Sequence, residues 1–424
     1  MYSKIRNFSK VTYLFFCLER DLKNRSHYPA LWALMISAYG IGTTEFVAVG
    51  ILPNISLDMG ISIPMAGLVV SMYALGATIG APVLTALTGR VPRKILLLSL
   101  MALFTIGNVI AALSTTYELL LTARVVTAFA HGVFFAVAAT IAASLVPIDR
   151  RATAIAMVFS GLTIAIATGA PIGTFVGQQW GWRATFWMVA GLGLLSFIGI
   201  AALLPRAIQV DRPGRLSDQV KVLGSGRLLI AFAMNLFGYG GTFVAFTYLA
   251  PLLEQVSGFS SNRISQILFL YGLSVIVGNV IGGRVANRDP VPMLVKMFTL
   301  QALGLLVFSF TAHSQLGTLV TLALLGGLCF ANVPGLHLYV VQLAQKHRPN
   351  GVDVASALNI AAANLGIALA AFIGARVVDS PLGLEATPWV SALLVAVALL
   401  LTLWSGLLDR RAIHANNVRE HHAH

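Results

Sequence analysis

Long apolar stretches alternate with short charged ones along the whole chain. Uncharged runs extend from Met59 to Gly89, Ile95 to Tyr117, Val125 to Ile148, Ala152 to Trp182 and Ala184 to Pro205. They resume from Leu228 to Leu253, Ile264 to Gly283, Met297 to Gln345, Val354 to Ala375 and Ala386 to Leu408. Each reaches the length of about 20 residues that a helix needs to cross a bilayer. The run from Met297 holds a polar break, His313-Ser314-Gln315, and is long enough for two helices, while Ala30 to Leu52 is interrupted by one charge, Glu45. The pattern predicts an all-α polytopic membrane protein with twelve transmembrane helices. Ahead of them, Val11 to Leu18 is a short apolar patch followed by Glu19, Arg20, Asp21 and Lys23 with no small-residue cleavage site, which reads as a cytosolic tail or an overlong start and not as a removable signal.

An internal repeat is visible at an offset of 198 residues. It carries Gly40 to Gly238, Gly42 to Gly240, Pro53 to Pro251, Gly60 to Gly258, Tyr73 to Tyr271, Gly80 to Gly278 and Arg90 to Arg288. Six helices separate the copies, an even number, so the expected architecture is two parallel six-helix halves, an arrangement typical of one large transporter fold. The expected organisation is a tail 1–29, a bundle 30–205, a charged linker 206–226, a bundle 227–408 and a second tail 409–424.

The chain has 424 residues, 57% hydrophobic and 10% charged, against about 25% charged in a soluble domain. That excludes ordinary soluble and disordered proteins. A formal net charge of +13 would elsewhere suggest a nucleic-acid binder. With Met1 placed in the cytoplasm, however, 24 of the 28 Lys and Arg fall in cytoplasmic segments, as the positive-inside rule requires. Both termini are then expected inside, with the bilayer and not a nucleic acid as the partner. Cys17 and Cys329 cannot make a disulfide framework or a cysteine metal site, and His421, His422 and His424 read as a solvated tail. No phosphate loop, paired intramembrane acids or metal-ligand cluster is present in the sequence, so enzyme chemistry and a bound cofactor are not expected; the energy source expected is a proton gradient.

Glu45 is the single acid inside a predicted span, and its repeat mate is Phe243. A carboxylate at mid-membrane costs about 2.5 to 3.5 kcal/mol on insertion scales, so it is either neutral part of the time, as a proton carrier must be, or held by structural hydrogen bonds. Arg124 lies roughly 7 to 8 Å and Glu45 roughly 12 Å from the same surface at 1.5 Å per residue. His131 follows Arg124 by seven residues and shares its helix face. Glu45, Arg124 and His131 therefore form a candidate proton-coupling set, with a neutral interhelical histidine the alternative for His131. Helix 5 carries Gly161, Ala165, Gly169, Gly173 and Gly177 with Pro171 among them, a ridge expected to pack closely at a moving interface. Asn235, Tyr239, Tyr248, Asn332, His337, Asn359 and Asn364 are candidate lining for an uncharged substrate cavity, and each could equally be interhelical glue.

GIGTTEF (Gly40 to Phe46), GILP (Gly50 to Pro53), AHGVFF (Ala130 to Phe135), GAPIGTFVG (Gly169 to Gly177), GWR (Gly181 to Arg183), FTYLAPLL (Phe246 to Leu253) and SALNIAAANLGIALA (Ser356 to Ala370) occur in order. With these words, over residues 28 to 408, the chain resembles the major facilitator superfamily. Within it, the chain is similar to the twelve-helix drug:proton antiporters of the arabinose-efflux-permease type, found in bacterial inner membranes. The resemblance implies that Arg124 corresponds to a helix-4 arginine associated with proton transfer. It implies further that Gly169, Pro171 and Gly173 correspond to an antiporter motif. The family's loop 2-3 motif reads Gly, three residues, Asp, Arg, any residue, Gly, Arg, then Lys or Arg. This chain has Thr85, Gly89, Arg90, Pro92, Arg93 and Lys94 there, and Asn287 with Arg288 in the other half, so both acids of that latch are replaced. Arg90, Arg93, Lys94 and Arg288 are then expected to act on helix-end carbonyls or lipid phosphates.

The reading that follows is a monomeric secondary transporter. It alternates access and exports a small molecule, such as a drug, a sugar or a related metabolite, against protons. A facilitator or importer of sugars or nucleosides without proton coupling is the alternative within transport, and a non-transporting membrane sensor is the alternative outside it.

Overall fold

A computed structural model describes residues 28–88, 91–147, 150–205, 221–286 and 290–422. Twelve helices among them are long and apolar enough to cross a membrane. In chain order α1 is Tyr28–Met59, α2 Ile63–Leu87, α3 Arg93–Leu113 and α4 Tyr117–Ser144. Helix α5 joins Arg151–Ile164 to Ala170–Trp180 through a π turn at Ala165–Gly169, and α6 is Trp182–Leu203. Helix α7 spans Gly226–Gln255, broken at a 3-10 turn over Gly240–Thr242 and again at Tyr248. Then come α8 Ser261–Ala286, α9 Pro290–Thr311, α10 Gln315–His347, α11 Val352–Val378 and α12 Thr387–His422.

The odd helices begin at the end of the bundle where α1 begins, here the terminal end, and the even ones begin at the far end. The far-end turns are tight. Gly60, Gly181, Gly258 and Gly383 have φ between 62° and 84°, backbone that favours glycine. Gly60 and Gly258 close the same turn 198 residues apart. Ser62, Thr116 and Ser314 cap α2, α4 and α10 by accepting a backbone N–H, a device worth about 1 kcal/mol each.

The repeat extends to the packing. In the first bundle α1 lies on α5 and α6, α2 on α4, and α3 on α4 and α6; in the second α7 lies on α11 and α12, α8 on α10, and α9 on α10 and α12. The close approaches follow the repeat too. Gly80 abuts Phe129 where Gly278 abuts Gly327, both partners 198 apart; Gly42 against α5 and Gly240 against α11 repeat the helix pairing with different partner positions, Leu162 and Ala165 against Gly366. Between bundles the chief contacts are α2 on α11 and α5 on α8, a pair that exchanges onto itself under the same repeat.

Two expectations are corrected. The small-residue ridge of α5 does not form the seam between bundles. Gly161 packs on Ala38, Ala165 on Gly42, Gly169 on Thr43, Gly173 on Val47 and Gly177 on Ile51, all on α1 of the same bundle. The contact with the other bundle comes one position round, where Gly272 of α8 lies against Ile166 and Ala167. Pro171 does alter α5 as expected, since it supplies no N–H to the residue four back. The helix widens before it, with Ala170 N–H donating to Ala165 O five residues back. Secondly, α12 continues to His422, past the uncharged run that ends at Leu408. Asp409 pairs there with Arg227 of α7 and accepts from Tyr339 of α10, anchoring the extension.

Candidate functional site

Helix α1 is gripped on one side by the α5 ridge, which fixes its rotation. The next positions then face α3 and α4. Thr44 Oγ1 donates to Asn108 Oδ1 of α3 at 2.9 Å. Arg124 of α4 donates through Nη1 to both the carbonyl and the hydroxyl of Thr44, each at 3.0 Å, and through Nε to Val69 O at 3.5 Å. Its guanidinium carbon lies 4.0 Å from the centroid of the Tyr73 ring, a cation–π contact worth about 2 kcal/mol where water is excluded. Arg124 is 1% exposed, and its Nη2 has no hydrogen-bond partner.

Glu45 is 8% exposed and accepts no hydrogen bond from any described residue, so the structural alternative for it finds no partner. Nor does it form an ion pair with Arg124. Its ionic neighbour is His131 of α4, with Nδ1 4.0 Å from Oε2. The same Nδ1 is 3.1 Å from Tyr73 Oη on α2. Glu45, Arg124 and His131 are thus brought together as the spacing implied, yet the linking residue is Tyr73. Sequence reasoning used Tyr73 only as a marker of the repeat. Thr44 and Asn108 were missed too, although a polar residue inside an uncharged run was the available signal.

Beside the acid stands an aromatic wall from the other bundle. Phe46 lies 6.2 Å from Phe243, 6.4 Å from Phe246 and 6.5 Å from Phe330 between ring centroids. Tyr239 packs at 5.4 Å on both Phe243 and Phe330, and Phe246 stacks on Tyr271 at 5.1 Å. Tyr239 is within electrostatic reach of Glu45.

The other cavity candidates divide. Asn235 donates to the carbonyl and side-chain oxygen of Asn359 at 2.9 and 3.0 Å, and Asn332 donates to Gln301, which donates in turn to Gly238 O and Thr242. Asn235, Gln301 and Asn332 donate between helices and act as glue, while among the described residues Asn359 only accepts. Tyr248 is enclosed, its hydroxyl donating to Ala371 O at 3.0 Å and its ring wedged between Gly67 and Gly374, so in this conformation it lines no open cavity. Asn364 donates to Ile360 O and leaves a buried Oδ1 without a partner, as Asn332 does. His337 is exposed in the terminal-end half of α10.

Of the gating candidates, Arg90 and Arg288 lie outside the described residues. Arg93 opens α3, half-buried. Lys94 donates to the carbonyls of Ala201 and Leu204 at 2.8 and 2.6 Å, capping the end of α6. It finds helix-end carbonyls as expected, but in its own bundle, so this contact is no latch between bundles.

Twelve apolar helices in two repeated bundles, with one buried acid among the described residues, define a multi-pass membrane protein of the kind that transporters form. A profile of the Major Facilitator Superfamily matches residues 34–352 and 258–423. The chain is 49% identical over 388 residues to the uncharacterized MFS-type transporter YtbD of Bacillus subtilis, covering 92% of this chain and 98% of that one. It is 36% identical to the inner membrane transport protein YdhP of Escherichia coli (89% and 96% covered) and 33% identical to a chloramphenicol resistance protein of Streptomyces lividans (87% and 94%). The chain belongs to the major facilitator superfamily. Its family and relatives are transporters, not enzymes.

Proposed function

We propose that the protein is a proton-coupled exporter of a small molecule. It alternates access by rocking residues 30–205 against residues 227–408, with both termini cytoplasmic as the basic loops favour. Glu45 is the proton acceptor, Arg124 favours its charged form when close, and His131 tunes or relays the proton. The observation that carries this is a buried carboxylate with no hydrogen bond, held beside a histidine and not neutralised by the nearby arginine. The Glu45 side chain keeps 8% exposure, so no hydrogen-bonded donor has to be displaced before it exchanges a proton.

The conformation suits such a cycle. Hydrogen bonds between bundles run from Ser71 to Ala368 O, Thr78 to Ala361 O and Asn279 to Thr163. Toward the far end, Tyr248 of α7 closes on Gly67 of α2. Export is supported by the name of the chloramphenicol resistance relative, and the substrate here is taken to be a neutral or weakly charged molecule of that size.

Reconstituted liposomes under a pH gradient test the reading, with chloramphenicol, a free sugar and a nucleoside as probes. Proton flux that depends on one of them is expected, and Glu45→Gln should transport without pH dependence. If Glu45→Gln keeps the parent's pH dependence, Glu45 is not the acceptor. Counterflow indifferent to the gradient would favour a facilitator.

A further inference from the structure

Tyr73 and Glu45 address one atom. His131 Nδ1 is 3.1 Å from Tyr73 Oη and 4.0 Å from Glu45 Oε2. A ring nitrogen offers a single lone pair or a single hydrogen in the ring plane, so it serves one of them at a time. We propose that Tyr73 is a positioning residue whose hydroxyl occupies His131 Nδ1 and withholds it from the proton of Glu45 until that hydroxyl is withdrawn. This rests on the proton-coupled reading above.

Helix α2 joins the seam between bundles to the buried site. Ser71 and Thr78, seven residues apart on one face, donate to the carbonyls of Ala368 and Ala361 on α11 of the other bundle. Tyr73 comes two residues after Ser71, about 200° round the helix, and faces α4. One face of α2 therefore belongs to the seam between bundles and the opposite face to the buried charges. Gly76 against Ala128 and Gly80 against Phe129 hold α2 on α4, so withdrawal is a rotation of the Tyr73 side chain once the seam opens, taking the hydroxyl from His131 and the ring from Arg124 together.

The proton step balances without a further reactant. In the closed state Tyr73 O–H donates to Nδ1 of a neutral His131 that carries its hydrogen on Nε2. When Tyr73 withdraws, the O–H bond of protonated Glu45 breaks and an Nδ1–H bond forms, giving a carboxylate and an imidazolium. The carboxylate then has Arg124 within electrostatic reach, and Arg124 Nη2 is a buried donor with no acceptor at present. The charged and titratable groups facing His131 are Tyr73 from α2, Glu45 from α1 and Arg124 on its own helix; Glu45 is faced in turn by Tyr239 from α7. The ring's other neighbour is Phe135, at 5.2 Å.

Tyr73→Phe keeps a ring over Arg124 and deletes the hydroxyl. In substrate-free liposomes under an imposed potassium diffusion potential, it should raise proton leak about a hundredfold, the low end of what a positioned proton acceptor contributes. The leak should disappear in Tyr73→Phe/His131→Gln, because Tyr73 acts through that ring. A leak equal to the parent's, or one that survives His131→Gln, overturns the proposal. The folded parent supplies a check independent of any variant: 15N spectra of its histidine rings should show Nδ1 of His131 as an unprotonated acceptor, and a protonated Nδ1 overturns the assignment. Absence of substrate-dependent proton flux in the parent would instead sink the proton-coupled reading and leave the ring assignment standing.

Discussion

At repeat-related positions the first bundle carries Glu45, Arg124 and His131, and the second carries Phe243, Leu322 and Cys329. Both bundles keep a threonine hub at the same place. Thr44 receives Arg124 and donates to Asn108, whereas Thr242 receives the neutral amide of Gln301, itself bonded to Asn332. Both keep a tyrosine as well: Tyr73 holds a histidine and an arginine, while Tyr271 stacks on Phe246. One scaffold thus holds buried charge on one side of the seam and amides and aromatics on the other. The difference shows that the fold does not require the charges. At the place of Arg124 the second bundle buries Leu322, at 2% exposure. The charges confined to the first bundle are what the proposed proton coupling would use.

The strongest way to break the contrast is to make the first bundle like the second. Arg124→Leu, copying Leu322, removes both bonds to Thr44 and the contact with Tyr73. Gradient-driven transport in liposomes should fall by about a hundredfold or more, equivalent to about 2.7 kcal/mol or more in barrier terms. Near-normal transport by that variant would mean the two bundles are interchangeable in charge.

A smaller effect is expected where the bundles meet. A side chain on Gly67 would overlap the Tyr248 hydroxyl, so Gly67→Val should hold the far end open. A cysteine placed near Tyr248 should then react faster with an impermeant thiol reagent added from the far side, by about tenfold, with transport reduced. Gly191→Val, at a position with open space, is the control and should change neither. Equal labelling in the two variants would show that Tyr248 does not close that end.

Least should follow from disturbing the neutral network. Gln301→Leu removes the bonds to Gly238, Thr242 and Asn332, and interhelical polar contacts in membranes average about 0.6 kcal/mol each. The melting temperature should drop by a few degrees while the pH profile of transport stays unchanged. A changed profile would place the second bundle in the proton path after all.

The helix count was legible because a span of uncharged residues must hide its backbone polar groups from lipid, and only a helix does so within one segment. The repeat was legible because Gly60 and Gly258, or Gly80 and Gly278, meet steric demands that few other residues satisfy. Glu45 stood out for the same kind of reason, a lone cost in an apolar run. The cavity candidates fared less well, since Asn235, Asn332 and Asn359 look alike in sequence whether they face a cavity or each other.

The sequence by itself therefore determined twelve crossings, two parallel copies, and which buried position carries an acid. Each is a matter of composition and period along one helix. Tertiary structure alone decided that the α5 ridge grips α1 and not the seam, that Lys94 caps α6 in its own bundle, and that Tyr73 joins His131 to Arg124 beside Glu45. Those are matters of helix rotation and partner choice. They follow from side-chain volumes meeting across helices that lie far apart in the chain, which spacing along a single helix does not encode.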